Sequence, residues 1–303
     1  MTFFEFEKKF PTETAAIDYF VALRYSGKLV CPHCASQEGV YRSRKRLRYY
    51  QCTKCNNSFS VFSGTIFQSS KLSIRKWFYA IHIFLNGKKG VSACNLQREI
   101  GGSYKTAWRM LHQIRAAMSV GDTFKIFENL VEVDETYVGG KPRLGSSAPR
   151  KKGRGTSKTP VIGIVERGTK QICARVVLND IPLKVHLIPF ILRTVVRGTT
   201  VVTDDFKGYL GLDDENYTHC SVNHSAKQYS DGNGTHTNNV ENFWSILKRG
   251  IIGVYHKVSS GYLQRYVNEA CFRRNNMQSD SIFDKVLEQA VIPQANRAWR
   301  VAA

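Results

Sequence analysis

The chain has 303 residues, enough for one large domain or for two to three smaller ones with cores of their own. Lys and Arg number 44 against 24 Asp and Glu, so the formal net charge is +20. No apolar run reaches the roughly 18 residues of a membrane span, and the acidic N-terminus lacks the pattern of a signal peptide. We expect a cytoplasmic protein with a polyanionic partner, nucleic acid first; a merely solvated basic surface is the alternative.

The N-terminal segment, residues 1–65, combines a predicted helix over 13–25 with two CxxC pairs that are 17 residues apart. This spacing is typical of a zinc ribbon, in which each turn aims two thiolates at one tetrahedral ion. The ion supplies the cross-link that so short and polar a segment lacks. Four unligated thiols are the alternative, and disulfides are not expected in a reducing compartment. The candidate zinc ligands are Cys31, Cys34, Cys52 and Cys55.

The stretch between the two cysteine pairs, YRSRKRLRYYQ, interleaves five basic residues with three tyrosines. Basic side chains neutralise phosphates, and aromatic rings pack against sugars or bases. The pattern therefore indicates a DNA contact, with a solvated hairpin face as the alternative. The candidate residues are Arg44, Lys45, Arg46 and Arg48.

The second segment, residues 66–122, is a predicted helical block with apolar residues at helical spacing. Within it, a helix over 92–100, the pair Gly101-Gly102 and a second helix from Ser103 have the layout of a helix-turn-helix. Lys105 and Arg109 are then expected to face a DNA groove. An ordinary helical hairpin is the alternative.

The third segment, residues 123–303, changes to strands. Strands are predicted over 130–138, 159–167, 171–178 and 199–205, a helix over 183–196, and C-terminal helices over 238–251, 260–276 and 281–291. This order predicts a mixed sheet with helices on its faces. A basic insertion, residues 141–159, is rich in Gly, Ser and Pro and is expected to be a mobile loop.

Acidic residues follow two of these predicted strands. Asp134 is expected to close the run LVEV and Asp204 the run TTVV, so both would lie where a strand gives way to a loop. Glu241 lies near the start of a helix that Asn238 or Asn239 would cap, with Lys248 on the same helix face.

Three carboxylates meeting in a basic protein point to divalent cations between them. Two hard cations about 3.5–4 Å apart would support in-line displacement at a phosphodiester, with Lys248 holding a phosphate. Mg²⁺ or Mn²⁺ suits oxygen ligands. Taken singly, each acid is weak evidence, because an Asp at a strand end is more often a turn or cap residue.

The chain resembles a known family, the DDE transposases of bacterial insertion sequences, in the ISXO-type branch with an N-terminal zinc ribbon and Merlin-type eukaryotic relatives. The resemblance extends over about residues 31–276. It is carried by the two CxxC pairs, FSVFSGTIFQSSKLSIRKWFYAI, DETYVGGK, VVTDDFKGY, VNHS and HTNNVENFWSILKRGIIGVYHKVS.

The resemblance implies an α+β multi-domain protein: a zinc ribbon, a helix-turn-helix-like block, and an RNase H-like mixed-sheet catalytic domain with flanking helices. It implies Asp134, Asp204 and Glu241 as ligands of two Mg²⁺ or Mn²⁺ ions, with Asp205 or a neighbouring Asn as alternative ligands. His224 and His236 are expected to position a phosphate or a carboxylate, or to be structural.

The function implied is that of a transposase acting on double-stranded DNA. It would bind terminal inverted repeats, hydrolyse the phosphodiester at the element end and transfer the strand to target DNA, as a nucleoid-associated homodimer or larger assembly. Two alternatives stay open: a non-catalytic, zinc-containing DNA-binding regulator, and an RNase H-like nuclease without strand transfer.

Overall fold

The structure is a computed structural model that describes residues 1–119, 126–140, 156, 158–177, 183–222 and 236–292. The chain divides into two compact units: Met1–Met118 with a C-terminal segment from Asp280, and Ser119–Ser279. The predicted ribbon and helical block therefore share one unit. Among the described residues, no helix has both the length and the apolar character needed to cross a membrane.

Helices and strands follow one another in blocks along the described chain. In order they are α1 (Phe3–Lys9), α2 (Glu13–Tyr25), β1 (Val40–Arg42), β2 (Tyr49–Cys52), β3 (Ser58–Ser60), α3 (Ile74–Asn86), α4 (Ala93–Ile100), α5 (Tyr104–Ala117), β4 (Leu130–Val138), β5 (Thr159–Glu166), β6 (Ile172–Val176), α6 (Lys184–Thr194), β7 (Thr200–Asp204), β8 (Thr218–Val222), α7 (Asn238–Gly250), α8 (Ser260–Asn275) and α9 (Ile282–Val291).

The first unit has an aromatic core formed by its helices. Phe10 lies with its ring centroid 5.0 Å from that of Phe78 in α3 and 5.9 Å from that of Phe283 in α9. Asp284 of α9 also forms an ion pair with Lys9. Helix α9 therefore packs with the N-terminal helices, whereas the sequence analysis assigned it to the third segment. The apolar face of α9 packs against these aromatic rings.

The helix-turn-helix layout of the first unit is confirmed. Ser92 caps α4 and Ser103 caps α5, each side-chain oxygen accepting a backbone N–H three residues on. Gly101 and Gly102 both have positive φ, which lets the chain reverse between the two helices. Each helix buries an apolar face, with Leu96 and Ile100 in α4 and Met110, Leu111 and Ile114 in α5.

The second unit is built on a five-stranded mixed sheet with the order β6-β5-β4-β7-β8. Strand β4 pairs antiparallel with β5, which pairs antiparallel with β6; β4 pairs parallel with β7, which pairs parallel with β8. This order and direction are those of an RNase H-like fold, as expected. Strand β8 was not predicted, because the sequence THCSV has no apolar run.

Helices cover both faces of this sheet. One core cluster joins Val131 and Val133 of β4 to α6, through Leu187 and Ile191. The other joins β5 and β6 to α7 and α8. Because side chains alternate along a strand, Glu132 and Asp134 lie on the face that α7 covers, opposite to Val131 and Val133.

One expectation about this unit is wrong, and two others concern residues outside the described ranges. Asp134 does not close its strand: β4 continues to Val138 because it pairs with β5 along its whole length. Of the basic insertion 141–159, residues 141–155 and 157 lie outside the described residues, as does His224.

Candidate active site

The two predicted aspartates lie at a fork between two parallel strands. Strand β4 pairs with β7 only through 130–132 and 200–202, and beyond Glu132 and Val202 no further pairs join them. Asp134 and Asp204 each lie two residues past the last pair. Because side chains alternate along a strand, both carboxylates lie on the same face of the sheet, where β4 and β7 separate.

Asp134, Glu135 and Asp204 form an acidic cluster, and each offers one carboxylate oxygen within 4.8 Å of the others. Burial, followed by the charges of Glu135 and Asp204, raises the pKa of Asp134 to about 7. Such crowding of like charges is relieved by a proton or by a bound cation. The cluster therefore fits a divalent metal ion by its charge, spacing and oxygen donors.

Glu135 was not among the predicted site residues. It lies on the opposite strand face from Asp134, where the hydroxyl of the fully buried Tyr209 donates to Glu135 Oε2 at 3.0 Å. Burial and the nearby carboxylates raise the pKa of Tyr209 well above its usual value, so the hydroxyl stays a donor. One oxygen of Glu135 is thus held by Tyr209.

Helix α7 is joined to the cluster through Trp244. Its indole Nε1 donates to Asp134 Oδ2 at 2.9 Å. The ring fits because Gly163, the partner of Asp134 on β5, has no side chain: a Cβ there would lie 2.6 Å from Trp244 Cζ2 and Cη2. The indole ring therefore packs on Gly163 while it donates to Asp134.

Glu241 is not part of the acidic cluster found among the described residues. It is exposed, and its Oε1 accepts a hydrogen bond from Thr237 Oγ1 at 3.0 Å. It nevertheless lies one helical turn before Trp244, which contacts Asp134. The structure brings together Asp134 and Asp204, with Glu135 beside them, and leaves the Glu241 carboxylate turned towards Thr237.

The start of α7 differs from the expectation that Asn238 or Asn239 caps it. Thr237 occupies the N-cap position without a side-chain cap bond. Instead, the backbone N–H groups of Asn239 and Val240 donate to Glu132 Oε2 at 2.8 and 3.3 Å. The cap is therefore a carboxylate from strand β4.

The two predicted phosphate-binding residues near α7 occupy different surroundings. Lys248 is half-buried, and burial lowers its pKa while the charge of Asp134 opposes that shift. Its ammonium therefore lies within electrostatic reach of the acidic cluster. His236 Nδ1 lies 3.3 Å from Glu132 Oε1, so its ring faces a carboxylate.

The four candidate zinc ligands meet in one cluster, to which β2 contributes its last residue, Cys52. Cys31 Sγ and Cys55 Sγ are 3.7 Å apart, and Cys34 Sγ and Cys52 Sγ are 3.6 Å apart. Four thiolates about 2.3 Å from one zinc ion would be separated by roughly 3.8 Å, whereas a disulfide needs about 2.05 Å. The cluster therefore fits a zinc ribbon.

The basic residues predicted to contact DNA fall into two groups. Arg44, Lys45 and Arg46 in the β1–β2 turn are exposed, as are Lys105 and Arg109 on α5. Arg48 instead donates from its guanidinium to the carbonyl oxygens of Ser70 and Leu72. The guanidinium of Arg48 is thus engaged in hydrogen bonds within the protein, whereas Arg44, Lys45 and Arg46 are exposed.

Comparison with known families matches two parts of the chain. Residues 11–58 match the transposase zinc-ribbon domain, and residues 126–275 match the ISXO2-like transposase domain. A transposase-like protein of Haemophilus influenzae is 30% identical over 105 residues, which are 35% of this chain and 82% of that protein. The chain belongs to the ISXO2-like transposase family.

Another relative of this transposase is a protein in the transposable element ISH50 of Halobacterium salinarum. It is 29% identical over 279 residues, 88% of this chain and 92% of that protein. Among solved structures, the Mos1 transposase paired-end complex with left transposon end has 8% identity and a TM-score of 0.29, covering 72% of this chain and 80% of that chain. A simian T-cell lymphotropic virus intasome has 12% identity and the same TM-score, covering 64% and 67%.

Proposed function

We propose that this transposase binds the terminal inverted repeats of its element, hydrolyses the phosphodiester at each element end, and transfers the freed strand to target DNA. The observation that carries the proposal is the meeting of Asp134 and Asp204 where β4 and β7 separate. The family membership agrees with this assignment.

Two kinds of metal would serve this function. The four thiolates suit Zn²⁺ as a structural ion. The oxygen donors of the acidic cluster suit two Mg²⁺ or Mn²⁺ ions, which supply a nucleophile at neutral pH and stabilise the leaving oxygen. Asp134 and Asp204 would hold them, with Glu241 as third ligand by resemblance. Glu135 is the competing third ligand, although Tyr209 already occupies one of its oxygens.

The remaining site residues would position the DNA and the carboxylates. Trp244 fixes the orientation of Asp134 by donating to Oδ2. Lys248, near Asp134, would hold a phosphate of the scissile strand as a point charge. The exposed Arg44, Lys45 and Arg46 of the ribbon would contact the phosphate backbone.

DNA recognition would then combine the ribbon with the helix-turn-helix. Lys105 and Arg109 are exposed on α5, beside the exposed Tyr104. A recognition helix with such residues at its N-terminal end is suited to a major groove. Assembly of two element ends would require a homodimer or a larger complex.

The test uses end-labelled DNA that carries the junction between the element and its flank. Wild-type protein and Asp134→Asn are incubated with Mg²⁺, with Mn²⁺ and without divalent cation. We expect cleavage at the junction by wild type only, and only with metal. A second substrate, cut beforehand to leave a free 3′-hydroxyl, is expected to be joined to target DNA.

The possible outcomes separate the competing functions. Binding of the junction by both proteins without cleavage by either would indicate a DNA-binding regulator. Cleavage without joining of the pre-cut end would indicate a nuclease. Equal cleavage by wild type and Asp134→Asn would remove the acidic cluster from the mechanism.

A further inference from the structure

We infer that Glu132 is a positioning residue, which sets the place of helix α7 along strand β4 and thereby the place of the groups that α7 brings to the acidic cluster. The inference rests on the proposed function, because it assigns Glu132 a role in that same site. It starts from the burial of this acid, whose side chain is 0% exposed.

A carboxylate without contact to water needs partners for both oxygens, since an uncompensated buried charge is strongly destabilising. Oε1 of Glu132 accepts from Arg167 Nε at 2.9 Å and from Asn239 Nδ2 at 2.6 Å. Oε2 accepts from the backbone N–H groups of Asn239 and Val240. Glu132 is therefore fully engaged, and most of its bonds go to the first turn of α7.

Arg167 extends this connection to the residues just before the helix. Its Nη2 donates to the carbonyl oxygen of His236 at 2.8 Å, while its Nε donates to Glu132. The negative carboxylate at the start of α7 is also favoured by the helix dipole. Together these contacts fix both the chain that enters α7 and the first turn of the helix.

Strand β4 contacts α7 at a second point, where Asp134 accepts from Trp244. The two points match in spacing. Two residues of a strand advance roughly 6.6 Å, and the four to five residues from Asn239 and Val240 to Trp244 advance about 6–7.5 Å along a helix. The two contacts are therefore about equally far apart along the strand and along the helix. In the sequence of α7, Glu241 lies between these two contacts.

The consequence is that Glu132 acts on the metal site through α7 and not by direct contact with DNA or metal. Without its carboxylate, the first turn of α7 loses an anchor, and the Trp244 and Glu241 side chains lose their fixed distance to Asp134. Residues that orient metal ligands typically change metal affinity by about 10- to 100-fold when they are removed.

The test compares Glu132→Gln with a matched control, Glu166→Gln. Glu166 is also a buried acid of this sheet, but it accepts from Glu128 N and Thr169 Oγ1, neither of which belongs to α7. Asn239→Ala serves as a milder variant, because it removes the side-chain donor to Glu132 and the acceptor for Lys170 Nζ but keeps the backbone N–H that donates to Glu132. All are made in the full-length, zinc-loaded protein.

Two measurements are made on each folded variant. Hydrogen exchange reports the protection of the Asn239 and Val240 amides, and Mn²⁺ titration followed by electron paramagnetic resonance reports the binding that Asp134→Asn abolishes. We expect Glu132→Gln to lose the amide protection and to bind Mn²⁺ at least about 10-fold more weakly. Asn239→Ala should change affinity in the same direction by less, and Glu166→Gln should match wild type.

Three results would overturn the inference. Wild-type Mn²⁺ affinity in Glu132→Gln, or in Asn239→Ala if the first variant does not fold, would make Glu132 merely structural. An equal loss in Glu166→Gln would show a general effect of buried acids, and wild-type protein without Asp134-dependent Mn²⁺ binding would leave nothing to position. Neither measurement needs DNA, so failure of strand cleavage alone counts against the proposed function and not against this role.

Discussion

Replacing Asp134 by Asn is expected to stabilise the metal-free protein while removing its metal response. Asp134 is crowded by Glu135 and Asp204, and burial together with these charges raises its pKa to about 7. An Asn at this position keeps an oxygen to accept from Trp244 and presents an amide to the neighbouring carboxylates. The substitution therefore removes a repulsion and keeps the hydrogen bond.

The magnitude follows from the pKa. A carboxyl group whose pKa is raised on folding binds more protons in the folded state, so its ionisation lowers stability as pH rises from about 4 to about 7. A rise from 3.8 to about 7 corresponds at most to roughly 4 kcal/mol. Asp134 is only partly enclosed, and solvent screening reduces this value. We expect about 1–2 kcal/mol at pH 8, or roughly 2–8 °C in Tm for a unit of this size.

Thermal unfolding of the second unit is measured at pH 8 and pH 4, in buffer freed of divalent cations over chelating resin. Added EDTA is avoided because it would also remove metal from the ribbon. At pH 8 the Asp134→Asn protein should melt higher than wild type, and near pH 4 the difference should vanish. Saturating Mn²⁺, at about 100 times its Kd, should raise the stability of wild type alone by roughly 2.7 kcal/mol.

The control is Asp205→Asn, which changes the exposed acid beside Asp204 and should leave the melting temperature unchanged. The reasoning is refuted if Asp134→Asn is no more stable than wild type at pH 8, or if its advantage is equally large at pH 4. A similar gain from Asp205→Asn would assign the effect to overall charge instead of to the cluster.

Three further predictions test other parts of the site. Gly163→Ala places a Cβ 2.6 Å from the indole ring above it, so we expect a loss of about 1–3 kcal/mol in denaturant unfolding and weaker cleavage. Glu241→Gln should lower the cleavage rate by at least about 100-fold, and Glu135→Gln by less than about 10-fold; the reverse order would identify Glu135 as the third ligand. Cys52→Ser should release the bound zinc in a colorimetric assay and weaken DNA binding, whereas Cys94→Ser, at an exposed cysteine of α4, should do neither.

Local patterns predicted much of the fold. Helix α2 begins and ends where its sequence indicated, and β5 is a continuous apolar run because both of its faces are covered. The cysteine spacing predicts two turns, and each turn is formed by residues that are close in the sequence. In both turns the residue just after the second cysteine has a positive φ; these residues are Ala35 and Asn56. Such features depend on sequence neighbours and can be read without the fold.

Long-range arrangements were predicted only where topology forces them. Asp134 and Asp204 lie at equivalent places in two parallel strands, each two residues past the last pair that joins them, so their approach could be expected. Glu135 could not, because alternation places it on the other strand face, and only the separation of β4 from β7 lets its carboxylate approach the aspartates. Arg48 resembles its basic neighbours in the sequence, yet its guanidinium bonds to carbonyl oxygens that lie more than 20 residues away.

The acid at position 132 shows most clearly where the sequence is informative and where it is not. In the run LVEVDE, alternation places Glu132 on the same strand face as Asp134, at the centre of an otherwise apolar segment. An acid buried there must have compensating donors, so the sequence already implies a partner. It does not name one, because Arg167 and Asn239 are 35 and 107 residues away. Only the packing of α7 on β4 shows that most of the donors to Glu132 belong to the helix that also contacts Asp134 through Trp244. This shared helix connects a buried acid to the acidic cluster of the proposed site.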